Sequence, residues 1–407
     1  MAPYLLFAGG YGSTSSGILT LEFDPTASPP TLQVVARAEA GAAPTWLTFS
    51  EDGKTLYADD EWAEPEGSIT AFSVSEAGEL TKLSTVSSGG LWPCHSTLIP
   101  FVSPPRLVTV NYKGASVSSI ALLPSGDLSP SCQQLISCLN TRQPGPHPDR
   151  QQQAHPHGAH LDPRGLVCVV PDLGTDDLRI LGITEDGQLE EVETISLRPG
   201  DGPRHVLFSK SGDVLYVLNE LDNSLTVFGV AYPSSSSSSP SPSRYPSFTL
   251  LQSNLSILPA SPMPHQPSFA TWHSAELLLT PSNRTLIASN RAEAHDPLRG
   301  ARGGPEDLLA LFAVRADGTL DAASRTLVGA GGRAARHLSL SRERVRRRGA
   351  RDAPVEDGRY LAVALHDSDE VVVFERARAG EDDDDGRALR EVARVQDVGR
   401  PGVVLWA

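Results

Sequence analysis

The stretch "GDGPRHVLFSKSGDVLYVLNE", from Gly200 to Glu220, decides the fold because both of its halves recur along the chain. Its second half, "LYVLNE", is matched by six segments: "LLFAGG" from Leu5, "LYADDE" from Leu56, "LVTVNY" from Leu107, "LVCVVP" from Leu166, "LIASNR" from Leu286 and "LAVALH" from Leu361. Its first half, "PRHVLFS", is matched by "PTWLTFS" from Pro44, "PCHSTLI" from Pro93, "PHGAHLD" from Pro156, "SAELLLT" from Ser274, "ARHLSLS" from Ala335 and "RPGVVLW" from Arg400. A repeat of this kind predicts stacked or radial modules.

The chain begins in the middle of a repeating unit and ends with the strand that the first unit lacks. Most units also carry a third strand and turn sequences such as "SEDGK" and "SKSGD". These features predict an all-β, seven-bladed β-propeller, closed by pairing of the C-terminal strand with the N-terminal strand. We expect a single domain over residues 1–407, with loop insertions at about 232–268, which is rich in Ser and Pro, and at about 341–356, which is rich in Arg.

The two halves of a unit form an antiparallel hairpin, so Arg204 and Glu220 are predicted to lie side by side on one rim of the central channel. Equivalent residues of the other blades should surround the same mouth. At the Arg204 position we expect Thr45, Cys94, His157, Ser274 and Arg336, and at the Glu220 position we expect Gly10, Glu61, Tyr112, Pro171, Arg291 and His366.

This rim has two interpretations. Arg204 and Glu220 could form a structural ion pair between adjacent strands. A structural pair needs no second arginine, however, and Arg291 occupies the Glu220 position on the next blade. Two arginines beside one carboxylate favour a site for an anionic substrate, and their charges would keep Glu220 ionised and able to act as a base.

The segment "HPHGAH" contains His155, His157 and His160 and raises the question of a zinc site. In an extended strand His155 and His157 share a face and His160 does not, and no carboxylate follows at a suitable spacing. We expect no metal. His157 is predicted to be a catalytic or substrate-orienting residue, the alternative being a structural, hydrogen-bonded histidine.

Composition limits the partners. A formal net charge of −15 argues against nucleic acid and anionic membranes. The four cysteines contain no Cys-x-x-Cys pair, the N-terminus has no basic segment before its short apolar run, and no stretch is long and apolar enough to span a bilayer. We therefore expect a cytoplasmic, soluble protein without a cofactor. The sequence does not specify an oligomeric state.

The segments "PHGAHLDPRGLVCVVPDLGTDDLRI", "GPRHVLFSKSGDVLYVLNELDNSLTVF" and "SNR" resemble the seven-bladed propeller lactonase family, and "APTWLTFSEDGKTLYADDE", "PCHSTL" and "DGRYLAVALHDSDEVVVFER" extend this resemblance over nearly the whole chain. The family includes 6-phosphogluconolactonases and the fungal 3-carboxy-cis,cis-muconate lactonizing enzyme. The chain departs from the pattern at "SAELLLT", which lacks the usual Pro and His, and at the Arg-rich insertion.

The resemblance implies a metal-independent active site at the channel mouth, with His157, Arg204, Glu220 and Arg291 as catalytic residues. We add His155 and Arg336 as substrate-binding residues. The expected partner is a small anionic lactone, and the expected reaction is hydrolysis of 6-phosphogluconolactone. Glu220 would activate water, Arg204 would stabilise the oxyanion or position the ester, His157 would protonate the leaving alkoxide, and Arg291 would hold the phosphate or carboxylate. The alternatives are a 3-carboxy-cis,cis-muconate cyclase and a non-catalytic scaffold for protein binding.

Overall fold

The structure, a computed structural model, describes residues 3–12, 17–129, 134–139, 145–233, 244–260, 272–292, 306–341, 358–377 and 387–407. All of the regular secondary structure in these ranges is β-strand, and 28 strands form seven four-stranded antiparallel sheets. The predicted all-β, seven-bladed propeller is confirmed. Across the same ranges, the structure contains no helix with the length and apolar character needed to cross a membrane.

Each sheet is one blade, and its strands run from the central channel outward. The first blade combines both ends of the chain, in the order β28 (Pro401–Trp406), β1 (Tyr4–Gly10), β2 (Ile18–Asp24) and β3 (Thr31–Ala38). Blade two consists of β4 (Pro44–Phe49), β5 (Thr55–Asp60), β6 (Ser68–Val74) and β7 (Leu80–Ser87). Blade three consists of β8 (Pro93–Ile99), β9 (Arg106–Asn111), β10 (Ser116–Ala121) and β11 (Gln134–Ser137). Blade four consists of β12 (His160–Leu161), β13 (Val167–Asp172), β14 (Asp177–Ile183) and β15 (Leu189–Ser196).

Blades five to seven repeat this plan with the same inner-to-outer order. Blade five consists of β16 (Pro203–Phe208), β17 (Val214–Asn219), β18 (Ser224–Ala231) and β19 (Ser247–Ser256). Blade six consists of β20 (Trp272–Leu279), β21 (Thr285–Ala292), β22 (Leu308–Val314) and β23 (Leu320–Gly329). Blade seven consists of β24 (Ala335–Leu340), β25 (Tyr360–Leu365), β26 (Glu370–Arg376) and β27 (Leu389–Gln396). β28 pairs antiparallel with β1, with Leu6 opposite Trp406, so the predicted closure by the chain ends is confirmed.

Burial follows the position of each strand in its blade. Every residue of β5, β9, β13, β17 and β25 is buried, because the second strand of a blade is covered on both faces by neighbouring sheets. Such strands are continuous apolar runs rather than alternating ones. The outermost strand β3 alternates between exposed and less exposed residues, as expected for an edge strand with one solvent-exposed face.

The core lies between neighbouring blades, in several apolar clusters. The cluster between the seventh and first blades contains Tyr4, Phe23, Tyr360 and Trp406. The rings of Phe23 and Tyr360 meet edge to face at 5.0 Å, and the indole N–H of Trp406 donates to the carbonyl of Ser339 at 2.9 Å. This packing supports the closing strand from its neighbouring blade as well as from β1.

The hairpin of the fifth blade shows how the rim is built. β16 pairs with β17 so that Pro203 lies opposite Asn219, and a β-bulge follows between Pro203 and His205. The bulge inserts Arg204 without a partner on β17 and turns its side chain toward the channel mouth. Comparable bulges occur at the starts of β4, β8 and β24.

The observed register corrects three of the predicted rim positions. Gly10 lies opposite Pro401 and Pro156 opposite Asp172, so the equivalents of Glu220 in blades one and four are Tyr11 and Leu173 rather than Gly10 and Pro171. Ser274 pairs with Asn290, which places Ala275 rather than Ser274 at the Arg204 position. The apolar runs of these buried strands fit either register, so their pattern alone does not distinguish one from the next.

The predicted insertions are described in part. Residues 247–256, inside the range 232–268, form the outer strand β19, whereas residues 234–243 and 261–271 lie outside the described residues. The Arg-rich segment lies outside them as well, because residues 342–357 are not described.

Candidate active site at the channel rim

The predicted pair of Arg204 and Glu220 is present on one rim of the channel. Glu220 directly follows β17, and its amide donates to the carbonyl of Gly202 at 2.7 Å, which fixes it beside the start of β16. Arg204 Nε lies 3.0 Å from Glu220 Oε2. Glu220 is fully buried and Arg204 is 4% exposed, so this contact is shielded from water.

Two further arginines reach the same carboxylate. Arg291 Nη2, from the end of β21, lies 2.9 Å from Glu220 Oε1, and Arg150 Nη2 lies 2.5 Å from the same oxygen. His157 Nε2 lies 3.9 Å from Oε2. The predicted residues His157, Arg204, Glu220 and Arg291 therefore come together, and with Arg150 they are referred to below as the Glu220 cluster.

Arg150 was missed by the sequence analysis. It lies in the segment that precedes β12, outside the repeating hairpins, and that segment is attached to the blade by a 2.9 Å hydrogen bond from Gln151 Nε2 to the carbonyl of Leu173. No repeat position contains Arg150, so the only sequence signal was the need of a buried carboxylate for positive partners.

The electrostatics of the cluster favour an ionised Glu220. Burial opposes ionisation, but Arg291, Arg150 and Arg204 together hold the pKa of Glu220 well below its usual value. Glu220 in turn raises the pKa of Arg150. Burial lowers the pKa of Arg291 to about 10, which still leaves it charged at neutral pH. Three guanidiniums around one carboxylate leave two positive charges in excess.

His157 is a neutral member of this cluster. Burial, followed by the charge of Arg204, holds its pKa well below the usual value. Its Nδ1 lies 3.9 Å from the thiol of Cys94, which occupies the Arg204 position of blade three. Nε2 therefore faces Glu220 as a neutral imidazole nitrogen that can accept or donate a proton.

The structure places His155 behind the rim rather than in the Glu220 cluster. Its ring is stacked on Tyr112 at 4.4 Å, its Nδ1 lies 3.0 Å from the carbonyl of Tyr112, and its amide donates to Asp172 at 2.7 Å. Tyr112 in turn contacts His157 edge to face at 5.3 Å. The described contacts of His155 thus support Tyr112, and its predicted contact with substrate stays a prediction.

A second polar group occupies the first, second and seventh blades. Tyr11 donates to Glu61 Oε2 at 2.5 Å, Thr45 donates to the same oxygen at 3.0 Å, and Arg336 Nη2 donates to the hydroxyl of Tyr11 at 2.6 Å. We call Glu61, Tyr11, Thr45 and Arg336 the Glu61 cluster. Its single arginine and single carboxylate cancel in charge. The predicted substrate-binding residue Arg336 thus lies on the rim but outside the Glu220 cluster.

Directly beneath the rim lies an inner layer formed by the residues that follow the Arg204 position. In six blades they are Trp46, His95, His205, Glu276, His337 and Val403, and in blade four the position is held by Gly158, which has no side chain. Trp46 stacks on His95 at 3.9 Å, and His205 lies 5.1 Å from His95. A cavity of about 690 Å³ begins at this layer and continues away from the rim, and no member of the Glu220 cluster lines it. The rim and this cavity are thus separate parts of the channel.

The histidines of "HPHGAH" do not assemble a metal site. His160 accepts from the amide of Val206 at 3.4 Å, contacts His95 at 4.5 Å and lines the cavity beneath the rim. Among the residues that the structure describes, no group of three or more His, Cys, Asp or Glu side chains is arranged to hold a metal ion.

The fold and the rim define a class of protein: a seven-bladed propeller with a buried carboxylate and several arginines at its channel mouth. The family described as "Lactonase, 7-bladed beta-propeller" matches residues 5–406, so the chain belongs to this family.

Two relatives illustrate the sequence similarity. A "Probable 6-phosphogluconolactonase" of Arthroderma benhamiae is 30% identical over 285 residues, which cover 69% of this chain and 66% of that protein. A "6-phosphogluconolactonase" of Bacillus subtilis is 30% identical over 225 residues, which cover 55% of this chain and 61% of that protein. The chain thus aligns with slightly less than two thirds of the length of each.

Solved structures agree with the fold. A putative 6-phosphogluconolactonase of Bacteroides fragilis superimposes with a TM-score of 0.76 at 24% identity, covering 100% of this chain and 98% of that one. A periplasmic gluconolactonase of Pseudomonas aeruginosa gives a TM-score of 0.75 at 24% identity, covering 100% and 99%. At this level of identity the similarity supports the propeller fold.

Proposed function

We propose that this chain is a lactonase that hydrolyses 6-phosphogluconolactone to 6-phosphogluconate at the Glu220 cluster. The observation that carries the proposal is the fully buried carboxylate of Glu220, contacted by the guanidiniums of Arg150, Arg204 and Arg291. The relatives named 6-phosphogluconolactonase support this choice of substrate.

The excess charge of the cluster suits a phosphorylated substrate. A phosphate monoester carries about −1.5 to −2 charges at neutral pH, which complements the two uncompensated guanidiniums. Arg150 and Arg291 both bind Oε1 of Glu220 and would bind the phosphate together. Arginine is well suited to this task because its planar donors match phosphate oxygens.

Phosphate binding would also activate Glu220. In the free protein the arginines make its carboxylate a weak base, since they hold its pKa far below neutral. A phosphate that draws Arg150 and Arg291 toward itself removes part of this stabilisation, while the burial of Glu220 persists. Its pKa then rises toward the range in which a general base is effective. Substrate binding thus makes Glu220 a stronger base for the water that attacks the lactone carbonyl.

The chemical step follows from these positions. Glu220 takes a proton from water, whose oxygen bonds to the lactone carbonyl carbon, and Arg204 stabilises the negative charge on the carbonyl oxygen. The bond to the ring oxygen then breaks. His157, with Nε2 at 3.9 Å from Glu220, receives the proton from Glu220 and passes it to the leaving alkoxide. Because His157 is neutral at the start, it serves as a carrier and not as a standing acid.

The remaining predicted binding residues would act at the edge of this site. Arg336, from the facing part of the rim, would bind substrate oxygens away from the phosphate, and His155 would act indirectly by holding Tyr112 beside His157. A KM that rises while kcat is unchanged in Arg336→Ala would support the first role. An unchanged KM would refute it.

We propose that the reaction needs no metal ion. The three guanidiniums that contact Glu220 would repel a cation, and two of them are bound to Oε1, one of the two oxygens that a metal could use. Treatment with EDTA, followed by removal of the chelator, should leave kcat unchanged. A loss restored by adding back a divalent ion would refute metal independence.

Two predictions on organisation also become proposals. Residues 1–407 would form one domain, which the closed ring of seven sheets supports, and the protein would work in the cytoplasm, which the unpaired thiols of Cys94, Cys138 and Cys168 support. A single cooperative unfolding transition would support one domain. Recovery of the protein in the cytosolic fraction would support the cytoplasmic location. Two separated transitions, or recovery outside the cytosol, would refute the respective proposal.

The decisive experiment measures hydrolysis of freshly generated 6-phosphogluconolactone above its spontaneous rate, with Arg204→Ala and Glu220→Ala beside the wild type. Unphosphorylated glucono-δ-lactone serves as the comparison substrate. The proposal is supported if the wild type accelerates hydrolysis and kcat falls about 100-fold or more in both variants, as expected for loss of an oxyanion donor or a general base. An equal rate with and without protein would refute it, and cyclisation of 3-carboxy-cis,cis-muconate would be the next reaction to test.

A further inference from the structure

A second buried carboxylate, Glu276, lies beneath Arg204 in the inner layer, and the mechanism above does not use it. Glu276 is 5% exposed. In blade six it occupies the position that His205 holds in blade five and His337 holds in blade seven. The strand that lacks the usual histidine therefore carries an acidic group in its place.

The neighbours of Glu276 present hydrogen-bond donors to it. Its Oε1 accepts the amide of Leu277 at 2.9 Å and lies 2.9 Å from His205 Nδ1. Its Oε2 lies 3.6 Å from His337 Nε2, and the Nδ1 of His337 accepts the amide of Val404 at 3.4 Å, so Nε2 carries the proton. Burial raises the pKa of Glu276, and His337 and Arg204 oppose that shift. Oε1 thus has two hydrogen-bond partners, whereas Oε2 has only the longer ionic contact with His337.

His205 connects this carboxylate to Arg204. When Nδ1 donates to Glu276, Nε2 carries a lone pair, and Arg204 Nη1 lies against the ring, 3.2 Å from Nε2 and 3.4 Å from Nδ1. The same Nη1 donates to the carbonyl of Ala275, the residue before Glu276. The guanidinium is thus held from below by β16 and β20, while its Nε lies 3.0 Å from Glu220 Oε2 as an ion pair without a hydrogen bond.

We propose that Glu276 is a positioning residue for Arg204, which acts through His205 to fix the guanidinium in the orientation that meets the reacting carbonyl. This inference rests on the role proposed for Arg204 in lactone hydrolysis. Arg204 has a long, flexible side chain, and substrate binding rearranges the arginines beside it. A donor stabilises a developing oxyanion only when it is oriented in advance.

The test is a double-mutant cycle between Glu276→Leu and Arg204→Ala, with kcat for 6-phosphogluconolactone as the readout. We expect Glu276→Leu to lower kcat about tenfold in the wild-type background, since small misplacements of catalytic groups have effects of this size or larger. In the Arg204→Ala background the same substitution should change kcat less than about twofold, because two residues that act as one unit are not additive. An equal factor in both backgrounds would overturn the proposal.

Two variants separate anchoring from general loss of packing. Glu276→Gln keeps an oxygen that can accept from His205, so it should retain kcat within about threefold of the wild type. A loss as large as that of Glu276→Leu would refute the hydrogen-bonded anchor. Asp59→Asn is the matched control, because Asp59 is a fully buried carboxylate bound by Ser96 and Thr109 between blades two and three. It should change kcat equally in both backgrounds.

A structural measurement keeps the proposal testable if the proposed function fails. In ligand-free crystals, the Arg204 guanidinium should keep its 3.0 Å contact with Glu220 in the wild type and in Asp59→Asn, and leave it in Glu276→Leu. If Glu276→Leu does not fold, His205→Phe breaks the same link at similar volume and should displace Arg204 likewise. A guanidinium that stays in place in the variant would refute positioning, whether or not the wild type is a lactonase.

Discussion

The Glu220 cluster and the Glu61 cluster are built from equivalent positions of the same repeat, yet they differ in charge. Glu61 holds the Glu220 position in blade two, and Arg336 holds the Arg204 position in blade seven. Around Glu220 three guanidiniums oppose one carboxylate, whereas Glu61 accepts two hydroxyl donors and its cluster contains one arginine. One part of the rim therefore carries excess positive charge and the other carries none.

This difference shows how a symmetric fold can produce an asymmetric site. The backbone supplies seven similar positions, and the side chains decide which of them bind an anion. Neutral hydroxyls of Tyr11 and Thr45 hold Glu61 without creating excess charge, so that cluster suits hydroxyl groups of a substrate. The Glu220 cluster suits the phosphate of the substrate and the hydrolysis of its lactone ring. The following predictions test this division.

The largest expected difference is between the two carboxylates. Glu220→Gln should lower kcat about 1,000-fold, within the range for loss of a general base, and Glu61→Gln should lower it about tenfold or less. Steady-state kinetics with 6-phosphogluconolactone measures both. Equal losses in the two variants would show that the clusters share the chemistry.

The second difference is between two arginines. Arg150→Met should raise KM for 6-phosphogluconolactone about 10- to 100-fold, as expected for loss of a charged hydrogen bond, and should leave KM for glucono-δ-lactone nearly unchanged. Arg336→Met should raise both KM values by a similar factor, because its proposed contacts are away from the phosphate. A phosphate-specific effect of Arg336→Met would reverse the assignment of the two parts of the rim.

A smaller effect is expected from Tyr11, which joins Arg336 to Glu61. Tyr11→Phe removes the hydroxyl that donates to Glu61 and accepts from Arg336, while the ring that Arg336 covers at 4.9 Å is kept. We expect KM to rise about fivefold with kcat unchanged, because loss of its hydrogen bonds to Glu61 and Arg336 would loosen Arg336 without removing it, at a cost to substrate binding of about 1 kcal/mol. A fall in kcat of tenfold or more would place Tyr11 among the catalytic residues.

The smallest expected effect is a decrease in thermal stability at acidic pH. Burial lowers the pKa of His157, His95 and His205 well below the usual value, and that of His160 to about 4. The unfolded chain binds protons to these histidines below about pH 6.5, whereas the folded chain does not, so the free energy of unfolding falls as pH falls from about 6.5 toward 4. We expect the melting temperature to drop by several degrees between pH 7 and pH 5.

Asp59 provides a check on this pH effect because it acts in the opposite direction. Burial raises its pKa to about 6, so in the folded chain it binds a proton more readily than in the unfolded chain and offsets part of the loss between about pH 6 and 4. In Asp59→Asn the melting temperature should therefore fall more steeply with acidification. A melting temperature independent of pH in both proteins would contradict the prediction.

Much of the fold was predictable because each hairpin repeats a polar turn between two apolar strands. The pair of Arg204 and Glu220 followed from the antiparallel hairpin, and Arg291 followed from the repeat. The register of β1 and β13 did not, because both strands are buried along their whole length and their apolar runs fit more than one alignment. Tyr11 was therefore missed in favour of Gly10.

Two other residues, Arg150 and Glu276, were missed because they break the repeat. Arg150 belongs to a segment between blades, and its contact with Glu220 spans 70 residues of sequence. Glu276 replaces a histidine and was visible only as a departure from the pattern. Its hydrogen bond with His205 joins two blades, and a period within one blade does not predict contacts between blades.

The closing strand has a consequence for synthesis. β28 is made long after β1, and it completes the blade that begins with β1. Tyr11 and Arg336, which are 325 residues apart, meet across this closure. A ribosome-bound chain can form complete middle blades, but it does not contain the finished rim until Trp406 has left the exit tunnel. Binding competence should therefore appear only after β28 has been made and has paired with β1, however early the middle blades fold.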